Sequence, residues 1–427
     1  MRHIPFNSKF YKANRNTLYN NIIDNSIILI FSPDTYPKNG DQQYVFIQNS
    51  NLYHLCGINQ EETILMLSLF DKNQPIKEQL FIKKVEEKQR IWFGEKYSIE
   101  KAKELSGINN VLWNEEFKSS LNNIIDKIDN IYFIETQQIK SSIDSPSHNQ
   151  RQISELKSKY PEKNFIPINN AIADIRLVKQ KDEIEAIKKA VKITKDAYYR
   201  VLKTLKPGMM EYEVEAEITY EYIKQGANGH AYDPIVASGK NACILHYIDN
   251  DKQCLDGDLL LMDFGAEYAY YASDCSRTIP INGKFTEKQA KYYNAVLNVF
   301  EKAKKLYTPG NTINNINAKV EKWMEEEMIK LGLFNEEDIK NQDSETPLFK
   351  KYFPHGTAHF IGLDVHDVGT KDTEFKAGMV LSCEPGLYIE SENIGIRIET
   401  DMVVGELPLD LMEDYPVSVE EIEREMV

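Results

Sequence analysis

Two aspartates, Asp263 and Asp274, stand inside the stretch Leu259–Asp274, flanked by the apolar β-type runs Leu259–Met262 and Tyr270–Ala272. The stretch reads as a hairpin centred near Tyr268 and Ala269, which sets the two carboxylates across from each other on paired strands. Carboxylates in that relation repel unless a cation lies between them, and a hard divalent metal supplies one. The bland alternative is a pair of exposed strand aspartates. The string Asp263-Phe264-Gly265 also imitates a kinase metal-binding motif, but no glycine-rich phosphate loop or catalytic-loop motif accompanies it, so phosphoryl transfer is set aside.

A second group lies in Phe353–Asp367, where three of the chain's eight histidines, His355, His359 and His366, fall among glycines and apolar residues. A lone histidine is an ordinary core or surface residue; three in one short segment suit ligation or proton transfer. The third group holds Glu384, in Cys383-Glu384-Pro385-Gly386, and the alternating run Ile394–Glu399. In that run Arg397 and Glu399 share one strand face while Ile396 and Ile398 take the other. Charges on an inward face are unfavourable unless paired or coordinated, with a surface ion pair as the alternative. Together the groups offer four carboxylates and at least one imidazole. Oxygen-rich ligation with little nitrogen and no sulfur suits Mn²⁺, Fe²⁺, Co²⁺ or Zn²⁺.

The elements that must position these residues divide near residue 175, giving domains 1–174 and 175–427. In the first, β-rich runs at Ser26–Phe31, Thr63–Phe70 and Asn130–Ile134 alternate with helical stretches at Ile99–Leu105 and Glu115–Ile125, which predicts an α/β layer domain. Ser141–His148 reads as a loop. In the second, a charged helical pattern from about Asp182 to Leu205 stops at Lys206-Pro207-Gly208, and another runs from Glu211 to Gly226. Two more helices follow Thr286, with Gln289 in capping-box spacing, and Thr312, the latter running to about Leu331. The strand-like runs between them carry the chemistry. This order predicts an α+β domain with an antiparallel sheet.

Composition narrows the classes. With 427 residues and a mix of 42% hydrophobic and 27% charged, the chain can bury a large core and is not a disordered polymer. A formal charge of −15 argues against a nucleic-acid partner. No apolar run of membrane-spanning length occurs. Met1–Asn20 has no apolar core or small-residue cleavage site of the secretory kind. The five scattered cysteines lack a CxxC pair, as expected in a reducing compartment, so the cytoplasm is the expected location.

The ordered set Asp263, Asp274, His359, Glu384 and Glu399, with its flanks, resembles the pita-bread metallopeptidases, a family that includes methionine aminopeptidase, prolidase and aminopeptidase P. Gln48–Tyr53 and Ile91-Trp92-Phe93-Gly94 resemble the N-terminal domain of bacterial-type aminopeptidase P, while Ile244–Tyr247 and Val365–Gly369 resemble its catalytic domain. The resemblance thus spans the chain and implies a curved, mostly antiparallel sheet covered by helices. It implies two divalent ions, Mn²⁺ foremost, with Asp263 on one, Asp274 and Glu399 bridging both, and His359 and Glu384 completing the other. A hydroxide shared by the ions would attack the bond before a proline at the second position of a peptide. By the same resemblance His246, His355 and His366 line the site, with His366 serving the tetrahedral intermediate. Glu384 would pass a proton to the leaving nitrogen, and Arg397 would orient an acidic ligand. Tyr232 and Tyr388 match aromatic positions beside substrate, with core packing as the alternative.

Trp92, by resemblance, reaches a neighbouring subunit's site in a homodimer or homotetramer; the alternative places it in its own domain's core. Lys240 and Ala242 depart from the family pattern and leave side-chain preference open. Cys275 and Cys383, beside ligands, read as small buried fillers. A prolidase with the same metals, a metal-free creatinase-like hydrolase and a non-enzymatic scaffold are the competing readings, and the intact ligand set disfavours the last two.

Overall fold

Ser26–Phe31 is apolar at almost every position and buried along its length, which marks a strand covered on both faces. It is central in a six-stranded mixed sheet of order Asn110–Trp113, Lys77–Ile82, Ile64–Leu69, Ser26–Phe31, Asn130–Phe133, Asn164–Pro167. Ile28 and Ile30 enter one core with Leu52, Leu55, Ala102 and Leu105, whereas Ile27, Leu29 and Phe31 enter another with Phe117, Leu121, Ile153 and Leu156. Helices therefore cover both faces, the α/β layer arrangement expected. The computed structural model describes residues 6–135 and 145–426. The loop read over Ser141–His148 lies outside them up to residue 144, and Ser147 already caps the helix His148–Lys159. The helix read over Glu115–Ile125 is broken into a 3₁₀ turn, the short helix Phe117–Asn122 and a second 3₁₀ turn at Ile125–Lys127. Ser119, Asn122 and Asn123 offer the backbone local polar alternatives there, and Ser119 Oγ donates to the Glu116 carbonyl.

The chain forms two compact units, Pro5–Arg176 and one that begins at Leu177. In the second, Lys181–Thr204 buries Ala186, Ile187, Ala190, Val191, Thr194, Ala197, Tyr198 and Val201 at helical spacing and ends before the Pro207-Gly208 turn. Glu211–Lys224 follows. Thr286 caps Glu287–Ala303 in the expected capping box, its hydroxyl 3.2 Å from Gln289 N and its own N–H 2.9 Å from Gln289 Oε1. Thr312 caps Ile313–Leu331, which Gly332 closes.

The strands of this unit pair antiparallel throughout, in short sheets that present their ends to one cavity. Ile235–Ser238, Leu259–Asp263 and Ser276–Pro280 form one. Val380–Cys383, Thr400–Val403 and Leu409–Asp410 form another, and Gly386–Ile389 pairs with Ile394–Arg397. The hairpin carrying the two aspartates is present, with a corrected register. Its turn is at Ala269 and Tyr270, with φ of 55° and 69°, a backbone that two-residue hairpin turns require and that Asn-Gly would have advertised. Moving the turn by one residue shifts cross-strand partners by two, so Asp263 faces Ser276 rather than Asp274. Because side chains alternate with period two, Asp274 still shares the face of Asp263, as a diagonal neighbour.

Candidate metal centre

Asp263 ends the strand Leu259–Asp263, and Asp274 comes just before Ser276–Pro280. Between them Gly265 lets the hairpin's strands approach, since a Cβ there would lie 1.9 Å from the Ser273 carbonyl oxygen. Glu384 follows Val380–Cys383, and Arg397 and Glu399 lie between Ile394 and Thr400. A bridge between Phe360 and Leu381 ties the histidine segment to this sheet and brings in His359. Asp263, Asp274, His359, Glu384, Arg397 and Glu399 line a cavity of about 360 Å³ together with Tyr232, Asp233, Ile235, Leu245, His246, Ile248, His355, Val365 and His366.

Within it His359 Nε2 lies 3.2 Å from Asp274 Oδ2 and 3.7 Å from Glu384 Oε1. His359 Nδ1 is 3.2 Å from the Phe360 carbonyl, which can only accept, so the proton sits on Nδ1 and Nε2 faces the carboxylates. Arg397 spreads over three partners: Nη2 donates to Asp263 Oδ2 at 2.6 Å, Nη1 to Tyr388 OH at 3.0 Å and Nε to Ser276 Oγ at 2.7 Å. Ser276 Oγ in turn donates to Glu399 Oε2 at 2.7 Å. Tyr232 OH lies 2.6 Å from Asp263 Oδ1 and 2.5 Å from Asp274 Oδ1, with one proton for two acceptors. His355 Nδ1 donates to the Gly356 carbonyl at 2.7 Å, so Nε2 accepts from Tyr388 OH at 2.8 Å. That tautomer is neutral, in keeping with burial and the Arg397 charge, which lower the ring to about 3.

The electrostatics report a shortage of positive charge. Burial pushes Glu384 up to about 7, against the pull of His359 and Arg397. Burial and then the Asp274 charge raise Glu399 well above the carboxylate range, and burial raises Asp263 against its Arg397 partner. His359 is lowered by burial, yet its hydrogen bond to Asp274 and the charges of Asp274 and Glu384 carry it to about 9. Behind the site, Asp401 is buried, accepts the Asp274 N–H at 3.2 Å through Oδ2, and is raised by burial as well. Glu399 Oε1 is buried with no hydrogen-bond partner among the described residues. Asp274, His359 and Glu399 can each offer a ligand atom within 4.8 Å of the others. An orphaned carboxylate oxygen, surplus acids and a mixed oxygen–nitrogen donor set fit a divalent cation.

Eleven of the residues singled out in the sequence thus meet at one place, Tyr388 as the buried backing of His355 and Arg397 rather than as cavity lining. Trp92 does not. It lies on Glu87–Phe93 of the N-terminal unit and is 80% exposed, which overturns its alternative reading as a core residue. Cys275 and Cys383 are fully buried, and burial pushes both thiols up, as fillers require. Sequence reasoning missed Ser276, which the period-two spacing from Asp274 could have flagged. It also missed Asp401, two residues beyond Glu399, and Ile235 and Ile248, which form an apolar wall with Leu245 and Val365.

The metallopeptidase family M24 model matches residues 185–406, and the model for the aminopeptidase P N-terminal domain matches 11–132. The Xaa-Pro aminopeptidase of Escherichia coli K12 is 33% identical over 414 residues, covering 93% of this chain and 92% of that protein. Human Xaa-Pro aminopeptidase 3 is 32% identical over 421 residues, covering 94% and 80%. A structure of zinc-substituted Escherichia coli aminopeptidase P in complex with product superposes with a TM-score of 0.89 at 31% identity and covers 99% of both chains. With this fold, this cavity and these matches along its length, the chain belongs to metallopeptidase family M24, in its aminopeptidase P branch.

Proposed function

We propose that this metallopeptidase removes the N-terminal residue from peptides whose second residue is proline. The observation that carries the reading is the convergence of Asp263, Asp274, His359, Glu384 and Glu399 on one cavity, where the carboxylates outnumber the cationic side chains Arg397 and His359. In this reading Asp263, Asp274, His359, Glu384 and Glu399 would together hold two divalent ions, Mn²⁺ foremost. When bound, such a pair supplies an acidified water and polarises the scissile carbonyl.

The remaining work falls to the chain. Arg397 and Tyr232 fix Asp263 from two directions, and Ser276 fixes Glu399. His366 donates to the oxygen that gains charge as the carbonyl carbon becomes tetrahedral. Glu384 takes up a proton and returns it to the leaving proline nitrogen. His246 and His355 flank the peptide, and the wall of Ile235, Leu245, Ile248 and Val365 gives the first side chain and the proline ring apolar surroundings.

Among the described residues no helix is long and apolar enough to cross a membrane, and we place the enzyme in the cytoplasm. The exposure of Ile91 and Trp92, 83% and 80%, supports a homodimer or homotetramer in which Trp92 meets a neighbouring subunit. Light scattering tests that assembly. Activity is tested by comparing an Xaa-Pro dipeptide with an Xaa-Pro-Yaa tripeptide, with and without Mn²⁺. Cleavage of the tripeptide supports an aminopeptidase, and cleavage of the dipeptide alone would identify a prolidase.

A further inference from the structure

Lys179 and Asp367 form an ion pair sealed inside the catalytic unit. Lys179 Nζ lies 2.9 Å from Asp367 Oδ2, and each side chain is only 1% exposed. Withdrawing two charges from water is unfavourable, and apolar residues of the same size commonly stabilise a fold as well or better. Its position suggests what the pair does instead. Asp367 directly follows His366, and its N–H donates to the Phe360 carbonyl at 2.8 Å, closing residues 360–367 into a compact loop. The loop begins next to His359 and ends next to His366, and their two rings meet edge to face at 4.3 Å.

Two further features fasten the loop to the pair. Lys179 is itself held in place, its N–H donating to the Gly378 carbonyl at 3.0 Å, two residues before Val380–Cys383, the strand that leads to Glu384. Gly362, inside the loop, packs on the pair so closely that a Cβ would lie 2.1 Å from Asp367 Oδ2 and 3.0 Å from Lys179 Cε. A larger residue at that position would therefore push the Asp367 carboxylate aside. An ammonium on a hydrogen-bonded backbone thus holds the residue after His366.

We propose that Lys179 and Asp367 are positioning residues that clamp the 360–367 loop and so aim His366 at the reacting carbonyl. The proposal rests on the reading of His366 as the oxyanion donor. It accounts for a buried pair beside the cavity whose own groups do not line it. Displacing a donor by about an ångström is enough to slow turnover by roughly 100-fold.

The test is a double-mutant cycle on the Mn²⁺-loaded enzyme, built from Lys179→Met and His366→Ala. Lys179→Met is expected to lower kcat by about 10- to 100-fold, with KM and bound Mn²⁺ per chain unchanged. In the His366→Ala background the same substitution should change kcat by less than about twofold, because the group it aims is gone. Equal losses in both backgrounds would overturn the clamp while leaving His366's role intact. If His366→Ala alone leaves kcat unchanged, the reading of His366 fails, and the clamp with it. Should Lys179→Met not fold, Gly362→Ala serves in the same cycle, since it displaces the Asp367 carboxylate while keeping both charges.

Discussion

Ser276→Ala isolates the contribution of one hydroxyl to the metal centre. Ser276 Oγ donates to Glu399 Oε2 and accepts from Arg397 Nε, each at 2.7 Å. Arg397 keeps two other partners, Tyr388 and Asp263, so its orientation survives the substitution. Glu399 does not have that reserve. Its other oxygen has no hydrogen-bond partner among the described residues, so the variant leaves the whole carboxylate without a donor. A hydrogen bond to a charged group contributes about 1.5–3 kcal/mol, and burial then favours the protonated acid still more. A cation must displace that proton and reorient a freed side chain.

At about 1.4 kcal/mol per tenfold, the lost bond corresponds to roughly 10- to 100-fold weaker metal binding. The substitution removes a single oxygen, so packing is little disturbed. Titration of the chelated protein with Mn²⁺ by calorimetry measures the effect, and kcat at saturating Mn²⁺ should return close to the wild-type value. A dissociation constant within twofold of wild type would show that Ser276 does not orient Glu399. A kcat that stays low at saturation would show that the damage lies elsewhere.

Asp274→Ala and Glu399→Ala should each abolish turnover and bring bound metal below two ions per chain by elemental analysis; full occupancy with normal turnover in either would refute the bridging assignment. Mn²⁺ at a hundred times its dissociation constant should stabilise the folded chain by about 2.7 kcal/mol, which raises Tm by roughly 5–10 °C for a unit of this size. A Tm indifferent to both chelator and Mn²⁺ would contradict a resident ion in the cavity. The chelated protein should also lose stability with rising pH. Glu384 is lifted by burial from 4.5 to about 7, and His359 reaches about 9 through Asp274 despite its burial. Both bind protons more tightly folded than unfolded, so their contribution is complete below the unfolded values and fades as pH passes about 7 and then about 9. Scanning calorimetry of the chelated protein should show Tm falling across that window, and a rise there would reverse the sign of the argument.

What the sequence disclosed follows from where its signals are local. Helix ends carried by Thr286, Gln289 and Thr312 were legible because a cap is formed by neighbours in the chain. Strand faces were legible for Arg397 and Glu399 because alternation is a property of the strand itself. The hairpin register was not, since its turn uses Ala269 and Tyr270 at positive φ, residues that carry no turn signature. The helix at Glu115–Ile125 failed because its polar side chains compete for the backbone. Ser276 and Asp401 stayed hidden for a different reason: their importance lies in contacts with Glu399 and Asp274, and the Ser276–Glu399 pair is 123 residues apart.

The cavity also predicts that metal binding and folding are coupled in this chain. Asp263, Asp274, Glu384 and Glu399 converge, with Asp401 behind them, while the positive charge there comes from Arg397 and His359. Arg397 is committed to Asp263, Ser276 and Tyr388, so it cannot follow the charge deficit toward Glu399. His359 reaches Asp274 and Glu384, and it serves them as a cation only while it holds a proton on Nε2. A ligated histidine must give that proton up, which removes its charge at the moment the ion arrives. An ion bound here would therefore displace the proton that Asp274 and Glu384 favour on His359, and those that burial favours on Glu384 and Glu399. Metal affinity must then fall as pH drops through the values of these groups, over the same range in which the chelated protein gains stability. One set of protons accounts for both trends, so metal affinity and the stability of the chelated protein should change in opposite directions over the same pH range when measured on the same protein.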